Sequence, residues 1–138
     1  MMVISFLIMY LIMFLNMETI DHYHTSDTRI YMAMLMVSPM AIVMMLMMGR
    51  MYPDRKMNRG IIVSAAFIFA LSLILLRAQF PIDDKQYMKA MIPHHSSAIM
   101  TSRNANIQDP EVKKLSEQII KSQEEEIAQM ESILKRLR

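Results

Sequence analysis

The stretch IYMAMLMVSPMAIVMMLMM, residues 30–48, decides the fold. It holds nineteen residues without a charge, bounded by Arg29 before it and by Arg50 shortly after. A hydrocarbon core about 30 Å thick is crossed by roughly 20 apolar residues of helix, so this run predicts a membrane span. Two more apolar runs lie on either side. Met1 to Leu15 is broken only by Ser5 and Tyr10, and Ile61 to Leu76 lies between Arg59 and Arg77. A soluble domain of 138 residues would struggle to hide three such runs. The expected fold is all-α. Three transmembrane helices occupy residues 1–80, and an outward-facing antiparallel helical hairpin occupies residues 81–138.

The first run has no basic segment ahead of it and no small-x-small cleavage pattern after it, so it reads as a retained helix. The connecting segments set the orientation. ETIDHYHTSDTR, residues 18–29, carries three acids, two histidines and one arginine. GRMYPDRKMNRG, residues 49–60, carries four Lys/Arg against one Asp. The bias of Lys and Arg toward the inner side puts the second segment inside. The first segment and everything after the third helix then face outward, periplasmic or extracellular. The expected location is the bacterial inner (plasma) membrane, with lipid as one partner.

From Pro81 onward the chain turns polar. Asp83 or Asp84 can cap a helix running to about Asn104. NIQDP breaks it. Asp109 then caps a second helix with Pro110 at its first position, where the missing N–H costs nothing. That helix runs to about Arg136. Its stripe is Val112, Ser116, Ile119, Gln123, Glu126, Met130, Ile133 and Leu137, a heptad-like seam with a polar middle. On the first helix, Asp84, Tyr87, Met88, Met91, His94, His95, Ala98 and Ser102 share a face by the same spacing. Antiparallel packing sets the His pair near Gln123 and Glu126. Two helices make a thin core, so the hairpin is expected to complete itself as a homo-oligomer, a dimer or higher.

There is no cysteine, which excludes disulfides, thiolate zinc sites and Cys nucleophiles. The net charge of +2 gives no pull toward nucleic acid. The methionines, nineteen in all, are the compositional anomaly. Met91, His94 and His95 offer one thioether and two imidazoles on adjacent turns. Met88 lies a turn earlier, and Met130 reaches from the second helix. Thioethers select Cu(I) and similarly soft ions such as Ag(I). A di-iron bundle would instead show Glu-x-x-His, and that spacing here reads Met91-x-x-His94. The bland alternative is a hydrogen-bonded His pair with methionine filler. Pro93 either starts a helix or kinks one.

DKQYMKAMIPHHSSAIM, residues 84–100, resembles the signature of the domain-of-unknown-function 305 family. The matching positions are Asp84, Tyr87, Met91, His94, His95, Ala98, Ile99 and Met100. QIIKSQEEEIAQM resembles the family's second half at Gln123, Glu126, Ile127 and Met130. The resemblance covers about residues 83–138. It implies a ferritin-like helical domain, here half a bundle, and copper binding by the His and Met positions, since some members resemble periplasmic copper-binding proteins. Many members carry two such hairpins, whereas this chain carries one.

Met32, Met34, Met36, Met40, Met44, Met45, Met47 and Met48 crowd one half of the second span, while the third apolar run has none. They read either as a soft-metal path or as adaptable packing. His22 and His24, with Met17 nearby, form a secondary candidate for metal capture; a solvated loop is the plain alternative. Ser96 and Ser97 lack the surroundings of a nucleophile, and no catalytic role is expected. The leading expectation is a membrane-anchored Cu(I) protein for copper tolerance, storage or delivery. A copper pump or chaperone is a candidate partner. His94, His95 and Met91 are the primary ligands, Met130 and Met88 the next, and Gln123 and Glu126 orient the imidazoles. The alternatives are a non-catalytic oligomeric scaffold and an oligomeric copper transport component.

Overall fold

A computed structural model of the chain describes residues 2–48, 51 and 53–137. Met1, Gly49 and Arg50, named above at the edges of the first two runs, lie outside the described residues. Among the described residues there are five α-helices and no strand: α1 (Met2–Ile12), α2 (Asp27–Met48), α3 (Arg55–Ala78), α4 (Asp84–Asn104) and α5 (Pro110–Arg136). A single 3₁₀ turn, Ile20–His22, interrupts the link between α1 and α2.

The chain forms two compact units. One comprises residues 1–12 with 27–81, the other residues 13–26 with 82–138. A boundary near residue 80 is therefore incomplete, because residues 13–26 group with the C-terminal part.

In the first unit, α2 and α3 are each long and apolar enough to cross a membrane. At 1.5 Å per residue their 22 and 24 residues extend about 33 and 36 Å. The expectation of three spans is corrected at its first member. α1 has 11 residues, about 16 Å, well short of a crossing. The reason lies just past it. Phe14 is buried with its ring 4.3 Å from that of Tyr23, and Asn16 Nδ2 donates to Ser97 Oγ at 2.8 Å. The end of the apolar run thus belongs to the second unit.

α2 buries Ala33, Ser38, Ala41 and Met45, and α3 buries Ala65 and Ser72. Small residues let two backbones approach closely where no hydrophobic force separates helix from lipid. Ser72 Oγ donates to Met34 Sδ at 3.7 Å, and Tyr31 Oη donates to the Phe80 carbonyl at 3.1 Å. Pro39 sits inside α2, and Ser38 Oγ donates to the Met34 carbonyl at 2.7 Å. Met32, Met36, Met40, Met47 and Met48 are exposed on this unit. Met34 and Met45 face inward, so most of the described thioethers of α2 lie on the outer surface rather than along an interior line. Asp54 Oδ1 caps α3 by accepting from the amides of Lys56 and Met57.

In the second unit, α4 starts at an Asp83 cap whose carboxylate accepts from the Gln86 amide at 2.7 Å. α5 starts at Asp109, which accepts from the Glu111 and Val112 amides at 2.9 and 3.0 Å, with Pro110 as the first helical residue. Caps of this kind contribute about 1 kcal/mol each. The helices run in opposite directions: Ser116 Oγ donates to the Ser102 carbonyl at 3.3 Å, while Met88 and Met130 line one groove near the other end. Their core is Ile92, Ile99 and Ile127, flanked by Ile120, Met130 and Leu134. α4 is continuous through Pro93, which is buried. The missing proline N–H frees the carbonyl of Lys89, four residues back. No separate turn forms at residues 87–91.

Candidate metal centre

α4 presents different residues to different neighbours, and helical geometry sorts them. At about 100° per residue, Met88, Met91, His95, Ile99 and Ser102 lie within one stripe, with Ile92 at its border. This stripe faces α5. Ser96 and Arg103 lie about 90° from His95 and meet residues 13–26 instead. His94 lies about 100° to the opposite side and is exposed.

His95 is the best-held member. Its side chain is 13% exposed, and its Nδ1 lies 3.0 Å from Glu126 Oε2. The two atoms are close but not aligned, so the buried Nδ1 makes no well-formed hydrogen bond among the described residues. Burial pushes the imidazole pKa below its ordinary value; Glu126 opposes that shift and His94 adds to it. His95 is therefore held toward the neutral form, the only form of imidazole that binds a metal. A carboxylate beside Nδ1 favours a proton there and leaves the Nε2 lone pair available.

Glu126 is itself held. Ser122 Oγ donates to its Oε1 at 2.8 Å, one turn earlier on α5. Each carboxylate oxygen thus has its own neighbour. Gln123 is half-buried beside this pair.

The other predicted ligands divide into small groups. The rings of His94 and His95 stand 6.0 Å apart at 67°. Met88 is buried and Met130 half-buried, and both line a groove of about 450 Å³ with Asp84, Tyr87, Gln129 and Ile133. Met91 is half-buried, between these groups in sequence. The structure therefore brings His95 to Glu126 and Met88 to the same groove as Met130, but turns His94 off the α5-facing stripe. Among the described residues, no three of His, Cys, Asp and Glu gather as a metal-binding group. The donors present beyond the two imidazoles are thioethers.

The secondary candidates have other occupations. His22 Nδ1 lies 2.8 Å from Ser96 Oγ, and the Glu18 amide donates to the same oxygen at 2.8 Å. Ser96 is fully buried. Arg103 bonds the Glu18 carboxylate and, at 2.8 Å, Glu124 on α5. His24 lines a separate cavity, and Met17 is half-buried after the turn that its amide closes onto the Phe14 carbonyl at 3.3 Å. Residues 13–26 therefore form a strap tied to the back of α4, rather than a free solvated loop.

Sequence reasoning missed Ser96 and Ser122. Ser96 follows Ile92 by one turn on the inner side of α4, where a hydroxyl must find partners. Ser122 stands four residues before Glu126, the spacing that places two helical side chains side by side.

Comparison with known proteins agrees with this architecture. The family model described as a domain of unknown function (DUF305) matches residues 71–134, from the last part of α3 to near the end of α5. An uncharacterised protein of Acanthamoeba polyphaga mimivirus is 38% identical over 117 residues, covering 80% of this chain and 71% of that protein. No solved structure matches. With the His pair and its facing Gln and Glu inside the matched segment, and this identity across most of both chains, the chain belongs to the domain-of-unknown-function 305 family.

Proposed function

We propose that this protein is a membrane-anchored Cu(I) binder, also able to take Ag(I), which serves copper tolerance, storage or delivery. The observation that carries the reading is the state of His95. It is held neutral by burial, faced at Nδ1 by a carboxylate that Ser122 fixes, and set on the stripe that also carries Met88 and Met91. Imidazole with thioether is a soft donor set. His95, His94 and Met91 would hold the ion, with Met130 and Met88 in reserve, and Glu126 and Gln123 would orient the rings. Bound copper would supply a soft, one-electron redox-active cation; the chain's own residues supply neutral donors and a fixed tautomer.

His94 points away from α5, so a second copy that brings its own imidazole and thioether is the natural way to close the site. That supports a homo-oligomer, with paired hairpins forming a ferritin-like bundle. α2 and α3 supply the anchor. Four Lys/Arg lie between them, and by the positive-inside rule the strap and the hairpin face outward. The bacterial plasma membrane, with the hairpin periplasmic or extracellular, fits this arrangement. A copper pump or chaperone would be the exchange partner there.

The deciding experiment is a Cu(I) titration of the purified full-length protein under reducing conditions against a chromophoric competitor. Wild type should bind at least tenfold more tightly than His94→Ala/His95→Ala and than Met91→Ala. Equal affinity in all three would remove the proposal. A scaffold predicts a different result: loss of oligomer in the variants with no metal dependence.

A further inference from the structure

A second cavity in the C-terminal unit has chemistry that the metal centre does not use. It measures about 450 Å³ and lies between the strap, the first turns of α4 and the last turns of α5. Its lining includes Lys85, Lys89, Lys135, Asp21, Glu131 and His24. Lys85 and Lys89 are one turn apart on α4, and Lys135 comes from α5. Among the described residues, none of these three lysines and two acids has a side-chain ion pair within 4.0 Å.

We propose that this cavity binds a phosphate ester whose headgroup also carries a hydroxyl or ammonium donor. The ammonium groups outnumber the carboxylates by three to two, so the cavity favours an anion. Three ammonium groups from two helices suit the several acceptor oxygens of a phosphate, with lysine acting as a point charge. The carboxylates narrow the class further. Asp21 and Glu131 are acceptors only when ionised, so a bare polyanion would meet repulsion there. A glycerol or ethanolamine group beside the phosphate offers them an O–H or N–H, while choline offers neither.

Two sources share this chemistry: a phospholipid headgroup and a free phosphate ester. The chain's layout favours the lipid. His24 lies three positions before the start of α2, and Lys85 lies seven positions after the end of α3. Both are the helices long and apolar enough to cross a membrane. Basic clusters next to membrane spans attract anionic lipid.

The test uses full-length protein in a neutral detergent, titrated with short-chain phosphatidylglycerol, short-chain phosphatidylcholine and free glycerol 3-phosphate, and read by calorimetry. Phosphatidylglycerol should bind at least tenfold more tightly than phosphatidylcholine. Lys85→Gln/Lys89→Gln/Lys135→Gln should weaken that binding at least tenfold. The corresponding triple Arg variant, and a control with Lys113→Gln/Lys114→Gln/Lys121→Gln, should keep it. Binding of phosphatidylglycerol alone assigns the lipid; equal binding of glycerol 3-phosphate assigns a free phosphate ester, and both support the site. Equal binding of the two lipids overturns the proposal. So does wild-type affinity in the triple Gln variant, or loss of binding in both the Gln and Arg variants.

Discussion

The imidazole of His22 and the hydroxyl of Ser96 meet at 2.8 Å although 74 residues and two apolar helices separate them in the chain. The same hydroxyl oxygen accepts the Glu18 amide. One buried side chain thereby anchors a strap that has little apolar surface of its own beyond Phe14. Replacing Ser96 by Ala removes an acceptor from a backbone N–H and a partner from a ring nitrogen. An unsatisfied buried group costs about 1–3 kcal/mol. Ser96→Ala should therefore speed hydrogen exchange across residues 16–22, with the core of α5 unchanged. Ser97→Ala should do less, because its bond to Asn16 is exposed.

The pH response of His95 follows from its surroundings. Burial lowers its pKa, so protonation is harder in the folded protein than in the unfolded chain. The sign is then fixed. Above the unfolded value of about 6.5 the ring is neutral in both states and its effect on folding is nil. As pH falls below that value, the unfolded chain takes up the proton first and the folded state loses relative stability. NMR titration of the His95 ring should give a midpoint below that of free histidine. Glu126→Gln should lower it further, since the carboxylate is what pulls it up. A midpoint at or above the free value would show that burial does not control the ring.

Ser122 touches no candidate ligand and yet fixes the carboxylate that faces one. Outer contacts to a metal-binding imidazole are commonly worth 10–100-fold in affinity. Glu126→Ala should weaken Cu(I) binding by about that factor. Ser122→Ala should weaken it by less, with the helix content of the hairpin unchanged. Lys121→Ala, next door but exposed, serves as the control. If Ser122→Ala and Lys121→Ala behave alike in a Cu(I) competition titration, the Ser122–Glu126 contact does not reach the ion.

The parts of this architecture that were legible in the sequence rest on strong local physics. Asp83, Asp109 and Pro110 mark helix starts because their side chains satisfy, or do not need, the first amides, and α4 and α5 begin there. The α2 and α3 spans were legible from length and lack of charge. What escaped depends on distant contacts. The apolar run through Leu15 gives no sign that Phe14 leaves its helix to pack on Tyr23. Nor does it show that residues 13–26 bind α4. His94 and His95 look equivalent as a pair, but one residue of helix turns them about 100° apart. Only one faces α5. Face assignment by heptad spacing was too wide to separate them, because it treats neighbours at three and four positions as one stripe.

The orientation of the two spans can be read without disturbing any contact. The chain has no cysteine, so single cysteines report cleanly. Thr25, Met57 and Asn106 are all exposed. Thr25 sits in the strap, Met57 in the first turn of α3 and Asn106 in the link between α4 and α5. Four Lys/Arg flank Met57 between α2 and α3, against one Asp, and the inner-side preference of such charges applies to short connections of this kind. Two spans return the chain to its starting side. In intact cells a membrane-impermeant maleimide should therefore label Thr25→Cys and Asn106→Cys, and should label Met57→Cys only after the cells are opened. Labelling of Met57→Cys and protection of the other two would invert the topology. It would also place the His94–His95 pair in the reducing interior. Protection of Thr25→Cys alone would separate the strap from the hairpin it is bonded to, and would contradict the Ser96 anchor directly.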